Sequence, residues 1–255
     1  MRLASALALT LALGTGAALP AFAQEASEPP LPQQPWTFSG LFGTIDRASA
    51  QRGFQVYKEV CSACHSMKEA SYRNLMGIGL TAAQVKAIAA TINVPDTNDD
   101  GQPIERPALP SDHFRDPFPN EKAARAANGG ALPPDQSVIV KAREGGADYI
   151  YSLIADGYSD PPAGVKIADG RYYNKWYPGH QIAMPPPLQP NQVTYADGTP
   201  ASVDQEARDV VTFLTYIANP EMEQRKRLGV KIVIFLALMT GITYAVKRKV
   251  WADVH

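Results

Sequence analysis

Three hydrophobic patterns follow one another along the chain. The first is a continuous apolar run, Leu3 to Leu19, rich in Leu and Ala. Arg2 precedes it and Ala21-Phe22-Ala23 follows. A basic start, an apolar middle and a small-x-small end predict a secretory signal peptide over residues 1–23. The alternative is a first transmembrane helix, against which Pro20 and the Gly14/Gly16 pair argue. Residues 24–35 read as a Pro-rich, extended leader.

The second pattern is periodic and occupies residues 36–222. Gly53, Val56, Tyr57, Val60, Cys61 and Cys64 recur at helical spacing, with Asp46 as the N-cap. Thr81 to Ala90 predicts a second helix, capped by Thr81, with Val85, Ile88 and Ala89 on one face. Thr91 to Gly130 loses the period and reads as loop. Ser137 to Ala155 looks helical again, broken near Gly145-Gly146. Asp156 to Met184 reads as loop, with Tyr172, Tyr173, Trp176 and Tyr177 in it. Those aromatics are either plain core or the wall of a flat apolar group. Ser202 to Ala218 is the clearest helix, with Ser202 and Gln205 as a capping box and an apolar stripe from Val203 to Ile217. Asn219-Pro220 ends it.

The third pattern is continuous once more. Leu228 to Val246 gives about 19 apolar residues, roughly 28 Å of helix. Residues 223–227 form a basic juxtamembrane segment containing Arg225-Lys226-Arg227, and Lys247-Arg248-Lys249 opens the tail, residues 247–255. Lys231 lies near one end, where its stem can snorkel. This predicts a membrane span. The basic residues are too balanced to orient it. The signal peptide orients it instead, with the large domain outside and the tail in the cytoplasm.

Charge sharpens the division. Between Gln24 and Met222 there are 16 Lys and Arg against 23 Asp and Glu, a net of −7. An acidic domain argues against nucleic acid and for a basic partner. Asp96, Asp99, Asp100 and Glu105 gather around one turn, and Asp156 and Asp160 form a second acidic group. Each is either a docking surface or an ordinary solvated loop. The spacing near Asn98 does not satisfy a calcium loop.

Chemistry enters with Cys61-Ser62-Ala63-Cys64-His65. Two thiols three residues apart on a helical turn can each form a thioether to one haem vinyl group. His65 follows directly, so its imidazole can reach the iron from the same side. The chain has only these two cysteines. A zinc site needs about four ligands, and a thioredoxin-like pair needs a strand before it. Neither context is present, so the motif predicts one covalent haem c, with no cysteine left for a disulfide.

A sixth ligand is sought among Met67, Met76, Met184 and Met222. Met67 is too close to His65 to cross the haem, Met76 is nearly so, and Met222 abuts the membrane segment. Met184 precedes Pro185-Pro186-Pro187, a run that stiffens the loop. His180 is the rival and would give a bis-histidine haem. His113 reads as a surface residue and His255 is terminal.

Several further blocks carry a resemblance. Arg52-Gly53-Phe54-Gln55-Val56-Tyr57-Lys58 leads into the haem motif. Glu121 to Asn128, Gly130 to Asp135, Arg143 to Tyr149, Ile182-Ala183-Met184, Asp197 to Ala201 and Arg225-Lys226-Arg227 follow. With these the chain resembles the cytochrome c1 family, the haem subunits of ubiquinol–cytochrome c oxidoreductases, from about Pro29 to Trp251. The resemblance implies a mainly α fold: a c-type cytochrome domain with long loops plus one C-terminal transmembrane helix. It implies His65 and Met184 as axial ligands. It also implies that Arg143, Tyr149 and Asn128 lie near the haem and its propionates. His180 stands where the family is expected to carry glycine or a small polar residue.

The function implied is electron transfer from a Rieske iron–sulfur protein to a soluble basic cytochrome c, in a complex with cytochrome b and membrane lipid. The expected location is the bacterial inner membrane, single-pass, with the haem domain in the periplasm. The chain alone would perform no substrate chemistry. A stand-alone membrane-tethered cytochrome c serving an oxidase or reaction centre is the first competitor. A peroxidase-like haem protein is the second, and it needs the open position that Met184 would close.

Overall fold

The computed structural model describes residues 30–254. The expected signal peptide and the first half of the leader lie outside the described residues. From Leu31 onward the chain clusters as one compact unit, while Pro30, exposed, is all that is described of the N-terminal unit.

Two helices make the frame. Helix α1, Arg47–Glu59, begins where the Asp46 carboxylate accepts from Ala48 N and Ser49 N, satisfying two of the donors that a helix start leaves open. Helix α5, Val203–Ala218, starts at Ser202, whose side chain accepts from Gln205 N. Only half of the expected capping box forms. Gln205 Nε2 turns along the helix and donates to Asp209 at 3.0 Å. The two helices cross at Gly53. A Cβ there would run into the Asp209 carbonyl and Phe213 Cβ, so only glycine allows the backbones to touch. Arg52, one residue earlier, grips the buried Asp209 through Nε and Nη2 at 2.8 and 3.0 Å and reaches Asp197 at 2.8 Å. Around this crossing Phe54, Tyr57, Tyr72, Phe114 and Phe213 pack edge and tilt, with ring centroids 4.6–6.2 Å apart.

Helix α2, Ala82–Ala90, has the predicted Thr81 cap, completed by Gln84 into a reciprocal box. The stretch 91–130, expected as loop, holds more order. Strands β1, Asn93–Thr97, and β2, Pro103–Pro107, form an antiparallel hairpin, and α3, Glu121–Ala127, follows on an Asn120 cap. The prolines in both strands hid the hairpin, since they suit only its edges. Helix α4 runs only over Gly146–Ala155, shorter than the predicted 137–155. Gly145 and Gly146 sit at φ 79° and 54°, which starts the helix afresh there. Strands β3, Tyr172–Tyr173, and β4, Gln181–Ile182, make a second small hairpin.

The third hydrophobic pattern becomes α6, Met222–Val250, a single 29-residue helix. Its most apolar 18-residue window has a mean hydropathy of 1.9 and none of it is buried. It is long and apolar enough to cross a membrane, and it leaves α5 after the predicted break at Asn219-Pro220.

Candidate haem site

Helix α1 delivers the cysteine motif. Past Glu59 the chain tightens into a single 3-10 turn, Cys61–Ala63. Cys64 N and His65 N both donate to Cys61 O, at 3.1 and 3.0 Å. Two thiols and an imidazole therefore share one turn. Both thiols are free, Cys61 half-buried and Cys64 exposed. Burial, with Cys64 adding a little, pushes the Cys61 thiol up to about 12, so it is held as the neutral thiol.

His65 Nδ1 lies 2.8 Å from the Pro134 carbonyl oxygen. A carbonyl only accepts, so Nδ1 carries the hydrogen and Nε2 keeps its lone pair. This is how a metal-binding histidine is oriented from behind. Burial lowers the imidazole's pKa, while the Pro134 contact and Asp135 pull the other way. The neutral ring is the ligating form.

The segment that carries Pro134 is strapped to the motif. Asp135 Oδ2 accepts from Ser66 Oγ at 2.7 Å and from Lys68 N at 2.9 Å, and its Oδ1 accepts from Ser137 N at 2.8 Å. Gln136 N donates to Ser66 O at 2.8 Å, and Ser137 Oγ accepts from Glu69 N at 3.0 Å. Burial works to raise the pKa of Asp135, but these donors prevail and it is lowered. In the sequence Pro134 and Asp135 stand out only within the Gly130 to Asp135 block, and Ser137 only as the start of an expected helix. Asp followed two residues on by Ser is the one local signal, an Asx-type turn.

Met184 follows β4 and is half-buried. Tyr158 Oη donates to its carbonyl at 3.0 Å. The hairpin behind it is pinned by Asn174, fully buried, which donates to Leu153 O at 2.9 Å and accepts from Trp176 N at 3.1 Å. The other methionines are used elsewhere: Met67 and Met222 are buried in the core, and Met76 is exposed. His180 sits in the β3–β4 turn with φ 57°. Its backbone bonds Tyr177 O and Asn174 N at 2.7 and 3.0 Å, and its ring stacks 5.7 Å from Tyr173. The positive φ explains why the resemblance expects glycine there.

The three residues expected beside the propionates are not equally gathered. Tyr149, half-buried on α4, has its pKa raised by burial, with Arg143 acting against the shift and Tyr177 with it. Arg143, Tyr149 and Tyr177 thus form one group. Arg143 is exposed, and its Nη1 donates to Ala142 O at 2.9 Å. Asn128 closes α3 instead, donating from Nδ2 to Ala124 O at 2.7 Å. A cavity of about 310 Å³ lies between Tyr57, Lys58, Ser62, Phe114 and Arg115, and its walls include none of Cys61, Cys64, His65 or Met184.

Of the acidic groups, much is neutralised. Arg106 pairs with both Asp96 and Asp112, Arg115 with Glu105, and Lys175 with Asp156. Asp99 and Asp100 stay exposed at the hairpin turn, and Asp160 is exposed after α4.

The donor set fits a haem c: two free thiols on one turn, an imidazole oriented from its Nδ1 side, and a half-buried thioether on a separate loop. Comparison with known proteins agrees. Residues 36–254 match the Cytochrome C1 family. The chain is 46% identical over 274 residues to a Bradyrhizobium diazoefficiens protein named cytochrome b/c1, which covers 99% of this chain and 40% of that protein. It is 45% identical to cytochrome c1 of Rhodospirillum rubrum, over 88% of each. It is 49% identical to the mitochondrial cytochrome c1-2 haem protein of Solanum tuberosum, over 87% of this chain and 85% of that one.

Proposed function

The chain belongs to the cytochrome c1 family, a membrane-anchored haem subunit of the bc1 complex, and from that premise we propose a one-haem electron carrier between a Rieske iron–sulfur protein and a soluble basic cytochrome c. The haem domain would lie in the periplasm and α6 in the inner membrane, beside cytochrome b. The observation that carries the reading is the contact of His65 Nδ1 with the Pro134 carbonyl. It leaves Nε2 with its lone pair available to ligate a metal.

Cys61 and Cys64 would hold the group covalently, and His65 and Met184 would bind its iron. When bound, haem c contributes reversible one-electron chemistry at iron. The chain's own residues do the rest. Asp135 and Pro134 fix the imidazole. Tyr158 holds the Met184 segment by its carbonyl. Arg143 supplies a fixed cation for a propionate, with Tyr149 beside it.

Purification from native membranes tests the reading. The haem-bearing chain should carry one haem adduct by mass spectrometry and copurify with b-type haem and a Rieske centre. A covalent haem protein that purifies free of both would instead be a stand-alone tethered cytochrome. A chain without the adduct that still transfers electrons normally would end the proposal.

A further inference from the structure

The stretch between Phe38 and Gly43 is folded tightly yet presents apolar side chains to solvent. Thr44 N donates to Thr37 O at 3.0 Å, closing the loop. Gly43 is so close to the Phe38 and Ser39 carbonyls that no side chain fits. Lys226 Nζ, from the first turns of α6, donates to Phe38 O and Gly43 O at 2.7 and 3.0 Å, pinning both feet of the loop. Glu223 accepts from Ile45 N at 2.9 Å and pairs with Arg47. At the tip of this stapled loop Leu41 is 60% exposed and Phe42 is 80% exposed. The stapling removes the freedom by which such a loop could fold its apolar tip away.

What covers the tip is indicated by its neighbour. Leu41 and Phe42 border a groove of about 500 Å³ whose far wall is Arg227, Val230 and Lys231. Lys231 lies three residues into the apolar run that starts at Leu228, about 4.5 Å along the helix axis. The loop tip therefore stands at the depth where α6 passes from water into hydrocarbon. Arg227 and Lys231 are four apart on one exposed face. Arg227 has Glu223 only at 3.9 Å, and Glu223 is already engaged by Arg47 and the loop. The groove therefore keeps positive charge, beside apolar side chains, at the level of lipid phosphates.

We propose that this groove is a binding site for an anionic phospholipid: Leu41 and Phe42 enter the acyl–glycerol boundary, and Arg227 with Lys231 hold the phosphate. The inference rests on the reading of α6 as the membrane anchor. A rigid loop would then set the tilt and depth of the haem domain, because one helix alone fixes neither.

The test uses the haem-loaded full chain in vesicles of phosphatidylcholine with or without phosphatidylglycerol. Phe42→Trp, read as the difference from the parent with its three tryptophans, reports on position 42. Its emission should be blue-shifted, shielded from acrylamide and quenched by lipids brominated near the headgroup end of the chain. Native mass spectrometry should find retained phosphatidylglycerol. Arg227→Gln with Lys231→Gln should lower that retention, by roughly fivefold per cation removed, while leaving the vesicle association intact. A tryptophan at position 42 that stays wet in chains that float with vesicles would overturn the site and leave the anchor standing. Chains that do not float would overturn the anchor. Position 42 drying only in the assembled complex would assign the loop to a protein neighbour and overturn the lipid proposal. Equal retention of both lipids would overturn the assignment to an anionic phospholipid.

Discussion

Two carboxylates, Asp135 beside His65 and Glu206 beneath the loop that follows Met184, have pKa values moved in opposite directions. On the motif side Asp135 holds the 134–137 strap against Ser66 and Lys68, and its pKa is lowered because donors outweigh burial. On the Met184 side Glu206 holds the returning loop, accepting from Val193 N at 3.3 Å. It is fully buried, and burial raises its pKa although the backbone N–H groups of Val193 and Gln192 act against the shift. The difference teaches that donors decide the charge state where several converge, as on Asp135, and burial decides it where they are outweighed, as on Glu206.

The comparison presumes a common frame, so the largest effect comes from breaking that frame. Gly53→Ala forces a methyl into the Asp209 carbonyl, and overpacking against backbone has no flexible side chain to yield. We expect a loss of about 3–4 kcal/mol. Little soluble haem-loaded protein should accumulate, and what does should unfold early in denaturant. Wild-type yield and midpoint would show that α1 and α5 do not touch at this point.

Next in size is the motif-side strap. Asp135→Ala removes acceptors for three donors and should cost about 3 kcal/mol. Amide exchange at Lys68 and Ser137 should quicken, while exchange at Val193 stays as it was. Faster exchange on both sides alike would mean that the two fastenings are one unit.

On the Met184 side the expected change is spectroscopic. Met184→Leu conserves volume and should cost about 1 kcal/mol or less in stability. It should lower the potential and open the iron to carbon monoxide, since the thioether is what favours the ferrous state. His180→Ala should leave both readouts unchanged. The reverse pattern would make His180 the ligand. This side was also the harder one to read from sequence. Cys61 to His65 is contiguous, and Asp46, Thr81 and Ser202 announce their helices by capping chemistry visible within four residues. The strap joins Ser66 to Asp135, 69 positions apart, and no local pattern encodes such a pairing. The hairpin at 93–107 was masked by its prolines. Of the helix expected over 137–155 the structure keeps the break at Gly145-Gly146 and the half that follows it, while 137–143 forms only turns and bends. Among the methionines Met184 could be favoured by elimination and by its prolines, with His180 left as the rival. The Tyr158 and Asn174 contacts that hold its loop are long-range and leave no such trace.

A smaller effect separates the two carboxylates by pH. Glu206 has its folded pKa raised, so its fastening is at its best below the ordinary glutamate value of 4.5 and weakens as pH rises through the folded pKa. Glu206→Gln keeps an acceptor for Val193 N and removes the buried charge. It should stabilise the protein by about 1 kcal/mol at neutral pH, and the gain should vanish in acid. Denaturant midpoints at several pH values read this directly. A destabilised Gln variant at neutral pH would mean that the Val193 and Gln192 donors outweigh burial at Glu206.

The smallest effect asks which side would meet the proposed soluble partner. The net −7 of residues 24–222 gives a long-range pull on a basic protein, acting on encounter rate. The structure trims the candidates. Asp96 and Glu105 are paired on the hairpin that follows the motif, leaving Asp99 and Asp100 exposed. Asp156 is paired beside the Met184 loop, leaving Asp160 exposed. Asp99→Asn with Asp100→Asn, and Asp160→Asn separately, should each change the bimolecular rate by about twofold at most, as rim charges do. At about 0.15 M salt the Debye length is roughly 8 Å, so the change should fade there and be clear only at low ionic strength. The variant whose salt dependence flattens identifies the docking side, with maximal turnover unaltered. A parent rate indifferent to salt would mean that apolar contact governs docking and that neither acidic group takes part.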